Sequence, residues 1–190
     1  MADVNISASI LECAQALGEL SVGLREQAVP IALNDMAKQT RTRASRIIRQ
    51  DWNIKASVIK DALHIRFATK DNLTASVSAS VPDLPVIAFS PTQNKTGVKV
   101  TIKKGNSKVI RHAFIKTMPS GHKGVFERTG KSRLPIKELY TRGPGGVFAT
   151  RAVQSVLEDL IKTKFAQILE GKCQYLLKRQ RVQEERDAGF

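Results

Sequence analysis

Apolar residues change their period twice along this chain, and each change marks a different kind of element. From Arg25 to Asp51, the positions Leu33, Met36, Ala37, Thr40, Ala44, Ile47 and Ile48 recur at helical steps. At about 100° per residue they gather on one side of a helix. Lys38, Arg41, Arg46 and Arg49 gather on the other side, with Arg43 at the boundary. Pro30 lies near enough to the predicted start to be tolerated. Ahead of this helix, Ser7 to Leu20 forms a shorter amphipathic stretch through Ile10, Leu11, Ala14, Leu17 and Leu20, weakened at its end by Gly18 and Gly23. Behind it, Trp52-Asn53 break the pattern, and Lys55 to Leu63 supplies one or two further turns. Residues 1–62 therefore read as helical. Trp52, the only tryptophan, reads as a core anchor at a helix junction rather than a platform for stacked bases.

From His64 the period becomes two. His64–Phe67 and Thr74–Ala79 alternate on either side of Asp71-Asn72, which predicts a β-hairpin. Leu84–Phe89 follows as a strand, its proline suited to an edge or to a strand's first residues. Val98–Lys103 and Val109–Ile115 predict a second hairpin around Lys104-Gly105-Asn106-Ser107. Val125–Arg128 and Leu134–Ile136 are shorter strands separated by Thr129–Ser132, and Ser120–Gly124 reads as a hairpin tip. Alternation with one polar side is what an antiparallel sheet with a wet face requires.

The breaker cluster Arg142–Gly146 then opens a long helix from Val147 to Arg181. Val153, Val156, Leu157, Leu160, Ile161, Phe165, Ile168, Leu169, Cys173, Leu176 and Leu177 recur in it at three- and four-residue steps. Such a helix spans roughly 50 Å. That exceeds what this chain needs for its own core, so the distal part is expected to pack on another subunit. Gln180–Phe190 reads as a fraying end.

The expected fold class is α+β, an antiparallel β-sheet flanked by N-terminal helices and a long C-terminal helix. A chain of 190 residues with 42% hydrophobic content can bury a real core, most economically as one domain, 1–190. Its parts are the helical 1–62, the β region 63–141 and the helix 147–182. Charge changes the picture most in the middle part. Between Lys95 and Arg142 stand thirteen Lys or Arg against only Glu127 and Glu138, a net +11 out of +14 for the whole chain. Segregation of this kind costs self-repulsion, so an anionic neighbour is expected to meet it. Lys103, Lys104, Lys108, Arg111, Lys123, Arg128, Lys131 and Arg133 are the candidate contact surface.

Candidates for chemistry are few. His64, His112 and His122 are dispersed with no metal-ligand spacing, and no G-x-S-x-G turn occurs. Carboxylates in the β region are limited to Asp71, Asp83, Glu127 and Glu138. No catalytic, cofactor or metal residue is expected. Gly143–Gly146 ahead of a helix offers backbone N–H groups to an anion, but it lacks the continuation of a nucleotide loop and reads as a hinge and helix start. Cys13 and Cys173 read as reduced thiols, a disulfide between the two end helices being the alternative. Nothing approaches eighteen consecutive apolar residues, and Met1–Ser9 lacks the features of a secretory signal.

The central block has a recognisable order of residues. Ala113-Phe114-Ile115, then Ser120–Phe126, Arg128, Gly130-Lys131 and Arg133–Tyr140, together with Asp83–Ile87 and the helical stretch 32–63, resemble the prophage minor tail protein Z family of long-tailed bacteriophages. The likeness runs over roughly residues 20 to 180. In one place it departs. Relatives often carry Gly-Pro-Ser-Val directly after the Leu-Tyr pair, whereas here Thr141-Arg142 intervene and Gly145-Gly146 replace the serine.

The resemblance implies a structural, non-catalytic virion protein, made in the host bacterial cytoplasm and resident in the tail. It implies tail or head–tail connector proteins as partners, a homo-oligomer such as a hexameric ring, and action in tail completion, head–tail joining or DNA passage. The basic β region would then face DNA in the tail lumen or an acidic neighbour. A free basic nucleic-acid-binding protein is the alternative, with little aromatic material for base stacking. Membrane attachment fits worst, because the apolar face of the arginine-rich helix is small and lacks aromatics.

Overall fold

The computed structural model describes residues 2–5, 22–80 and 82–189. The amphipathic stretch Ser7–Leu20 and Cys13 lie outside the described residues. Two long helices carry the fold. Helix α1, Val22–Asp51, buries Ala28, Ala32, Met36, Thr40, Ala44 and Ile48, each with no exposed surface. Helix α4, Arg151–Asp187, buries Val153, Leu157, Ile161, Phe165, Leu169 and Cys173. Both series advance by four residues, so the seam is built from i±4 ridges, and small residues on α1 admit the larger ones of α4. The helices run antiparallel: Asp35 meets Lys172, while Arg43 and Arg46 share a groove with Leu160. Pro30 stands inside α1, further from its start than the sequence suggested. A proline there removes only one backbone donor, and packing of the flanking Val29 and Ala32 holds the helix through it.

Helix α2, Ala56–Ala62, follows α1; among the described residues one short strand precedes α1 and ten lie between α1 and α4. Strands β1 (Ala2–Asn5), β2 (Leu63–Arg66) and β3 (Ser76–Ala79) make a sheet in the order β1-β3-β2. Strands β5 (Thr92–Asn94), β6 (Gly97–Lys103) and β7 (Asn106–Arg111) make a second, in chain order. Strands β8 (Phe114–Thr117), β9 (Lys123–Arg128) and β10 (Ile136–Glu138) make a third, and β4 (Leu84–Pro85) pairs with β11 (Tyr140–Thr141). All pairings are antiparallel. The class is α+β, as expected, although the strands form four small sheets rather than one. One buried cluster contains side chains from α1, β3, β6 and α4, and from the short helix α3, Pro144–Phe148.

Five readings of the sequence need correction. Residues 1–62 are not helical throughout, because Ala2–Asn5 is a strand pairing Val4 with Val77. Four residues are too few to declare a period. Leu84–Phe89 is not one strand: after Pro85 the chain turns into a 3-10 helix, Val86–Phe89, whose buried residues Val86 and Phe89 are three apart. Val109–Ile115 is split, because His112 adopts a left-handed φ of 61° that ends β7 and sends Phe114–Thr117 to a different sheet. The predicted helix from Val147 is broken after Phe148 and restarts at Arg151. Here the Thr150 hydroxyl donates to the Val147 carbonyl (2.7 Å) and the Gln154 amide donates to that of Phe148 (2.7 Å). Lastly, the helix runs on to Asp187 instead of ending near Arg181, its last turns composed largely of Arg, Gln and Glu with a Gln183–Asp187 side-chain bond of 3.0 Å.

Candidate partner-binding surface

The tip of the β6–β7 hairpin is fastened to the end of α1. The Lys104 N–H donates to the Asp51 carbonyl and the Asn53 N–H to the Ile102 carbonyl, each at 2.9 Å. The Asn53 side-chain amide donates to the Thr101 carbonyl at 3.2 Å. Gly105, at φ 75°, takes the left-handed position of the two-residue turn. Lys103 and Lys104 therefore project from a rigid corner beside the negative end of a helix dipole, where cations are favoured. The Lys103 ammonium lies 5.1 Å from the centre of the Trp52 ring. Trp52 is half-buried at the helix junction, as its sequence position implied, and it also lines a surface cleft of about 270 Å³ with Ile102, Lys103 and Lys108.

The third sheet builds a different surface. Phe114 lies opposite Phe126 in register, with ring centres 6.2 Å apart, and the Arg128 guanidinium covers Phe114 at 5.4 Å. Around Phe114 a groove of about 590 Å³ is floored by Met118, Pro119, Leu134 and Ile136 and rimmed by Lys116, Arg128 and Arg133. Leu134 is 66% exposed, an unusually open position for a leucine. Glu138 of β10 is already engaged: it accepts from Tyr140 Oη (2.9 Å) and meets His122 Nε2 at 3.0 Å. That hydrogen bond to Glu138 holds the Tyr140 hydroxyl above its ordinary pKa. Glu127 stands opposite Lys137 in register.

All eight candidate cations are exposed, and none is in an ion pair among the described residues. They do not form one patch. Lys103, Lys104 and Lys108 share the Trp52 corner, and Arg111 lies at the far end of β7 beside Lys95 and His112. Arg128 and Arg133 rim the Phe114 groove, Lys123 begins β9, and Lys131 sits in the β9–β10 loop. Two features escaped the sequence. One is the apolar floor of the groove, since Leu134 sits in a stretch that reads as a strand and Pro119 falls between predicted elements. The other is that the α1 cations are joined by Lys60 of α2 and Lys164 of α4, which only packing brings close.

Gly143–Gly146 is a packed start to α3 rather than a hinge: Gly143 and Gly145 are buried, and a Cβ on Gly143 would strike the Pro82 carbonyl oxygen. Among the described residues no three His, Cys, Asp or Glu side chains are grouped to hold a metal, and no helix is long and apolar enough to cross a membrane. Cys173 is buried, which pushes its thiol above the ordinary pKa.

Comparison with known proteins completes the picture. The sequence model of the family described as prophage minor tail protein Z (GPZ) matches residues 11–182. The chain belongs to the prophage minor tail protein Z family. A tail completion protein of Escherichia phage N15 is 24% identical over 113 residues, 56% of this chain and 61% of that protein. The match thus spans less than two thirds of that relative. No solved structure matches the chain.

Proposed function

We propose that this tail protein acts in tail completion, joining tail to head or admitting DNA, as a non-catalytic part of the virion tail made in the host cytoplasm. Its third sheet docks an acidic neighbour among the tail or head–tail connector proteins. The observation that carries this reading is the Phe114 groove, where an exposed apolar floor is rimmed by Lys116, Arg128 and Arg133. Protein interfaces combine a desolvated apolar centre with a polar rim, and this groove supplies both. A free nucleic-acid-binding protein would need no such floor.

The reading includes a single domain, 1–190, supported by the buried cluster that joins helices and sheets. It also includes a homo-oligomer, such as a hexameric ring. Distal α4 favours that state, because Tyr175, Leu177 and Val182 are 61%, 38% and 40% exposed. Lys103, Lys104, Lys108, Arg111, Lys123, Arg128, Lys131 and Arg133 are the wider set of contact residues, meeting partners at separate corners. The test is charge reversal of Lys103, Lys108, Arg128 and Arg133 to Glu, with folding checked by circular dichroism. The expected result is a cooperatively folded protein and non-infectious particles. Normal particles from that variant would overturn the assignment.

A further inference from the structure

A second run of positive charge, this one free of acid, lies on α1, outside the strands. From Met36 to Gln50 the chain has five cations and no acid. Folding enlarges this set. Arg41, Arg46 and Arg49 share one groove with Lys60 of α2, a space of about 340 Å³ also lined by Thr42 and Ser45, the Thr42 hydroxyl donating to the Lys38 carbonyl (2.9 Å). Arg43 and Arg46 share a second groove of about 290 Å³ with Lys164 of α4. Arg46 and Thr42 form the ridge between the two. Neither groove is lined by a carboxylate, and none of Arg41, Arg43, Arg46, Arg49, Lys60 and Lys164 is in an ion pair among the described residues. Two acids of α1 flank the run: Asp35 is occupied by Lys38 and Lys172, and Asp51 ends the helix and lines neither groove.

We infer that this face of α1 binds the sugar–phosphate backbone of duplex nucleic acid. The chemistry of the patch selects that partner. The one partly exposed large apolar residue lining the grooves, Leu160, is half-buried, so a protein partner would find little to desolvate there. No aromatic ring lines either groove, so unpaired bases would find nothing to stack on. What the patch does offer is guanidinium groups, hydroxyls and shallow relief on a stiff helix. Arginine matches phosphate oxygens in a two-point geometry that lysine lacks, and four of the six cations are arginine. Phosphate contacts of this type position a duplex without reading its sequence. The inference stands on α1, α2 and α4 and does not depend on the partner proposed for the third sheet.

Salt dependence tests it. The full chain is titrated against a fluorescein-labelled 20-base-pair duplex of arbitrary sequence, from 50 to 200 mM NaCl. Six phosphate contacts give a log–log slope of about −5, which is roughly a thousandfold loss of affinity across that range. The variant R41Q/R43Q/R46Q/R49Q is expected to keep its melting transition and fall to a slope near −2. K103Q/K104Q/K108Q/R111Q is expected to keep the wild-type slope. A second measurement uses the unaltered protein: bound duplex is expected to shield Lys60 and Lys164 from acetylation more than Lys104 and Lys131. A wild-type slope shallower than about −2, retention of the full slope by the α1 variant, or shielding confined to the sheet lysines would each overturn the inference.

Discussion

Replacing Phe165 by Ala removes a side chain with no exposed surface from the middle of the α1–α4 seam. Its neighbours in the ridge, Ile161 and Leu169, are 4% and 1% exposed, so the space cannot be filled by solvent-facing groups swinging in. Truncation of a fully enclosed phenylalanine costs about 3–5 kcal/mol through lost transfer energy and the remaining cavity. For a chain of this size each kcal/mol moves the melting temperature by about 2–4 °C, so a fall on the order of 10 °C is expected. Val182→Ala is the matched control on the same helix. Val182 is 40% exposed, and its truncation is expected to cost less than about 0.5 kcal/mol in the monomer. Trp52, the only tryptophan, provides a fluorescence signal for urea unfolding. Measurements at several protein concentrations separate folding from association, since association makes stability concentration-dependent. Equal costs for the two variants at low concentration would refute the division of α4 into a core half and an open half.

Three further outcomes follow from particular contacts. Thr40 is buried, and among the described residues its hydroxyl has no hydrogen-bond partner, so Thr40→Val is expected to raise stability by about 1 kcal/mol in thermal unfolding. Asp35 is held below the ordinary carboxylate pKa chiefly by its hydrogen bond to Lys172, against the opposing effect of burial. A lowered folded-state pKa gives stability that is complete above the unfolded value of 3.8 and drains away as pH falls through the folded value. Asp35→Asn is thus expected to cost up to about 1 kcal/mol near neutrality and to flatten the acid limb of the stability curve below pH 3.8. Gly143→Ala places a methyl against the Pro82 carbonyl, and a loss of about 2 kcal/mol is expected in urea unfolding as α3 is pushed from its seat.

The helices and the class of fold were legible in the order of residues because their periods run long. Seven predicted apolar positions of α1 include six that are wholly buried, and the four-step ridge of α4 repeats often enough to stand out. The family likeness was equally legible, since it rests on the identity and order of residues in the central block. Short elements were not. Ala2–Asn5 becomes a strand only because Ser76–Ala79 presents an open edge to it, a pairing that no local pattern announces. The bend at His112 depends on one backbone angle, and it separates two strands that alternate as if continuous.

The candidate surface divides in the same way. Which side chains carry charge, and that they outnumber acids in the middle of the chain, was fixed by composition alone. Whether those charges act together is a matter of distance, and distance belongs to the fold. Packing scattered the eight sheet cations over separate corners, set Arg128 and Arg133 around an apolar floor, and drew Lys60 and Lys164 beside the arginines of α1. Electrostatic attraction adds up only among groups that lie within several ångströms of each other. Sequence therefore determined the supply of charge, and tertiary structure decided where it could bind.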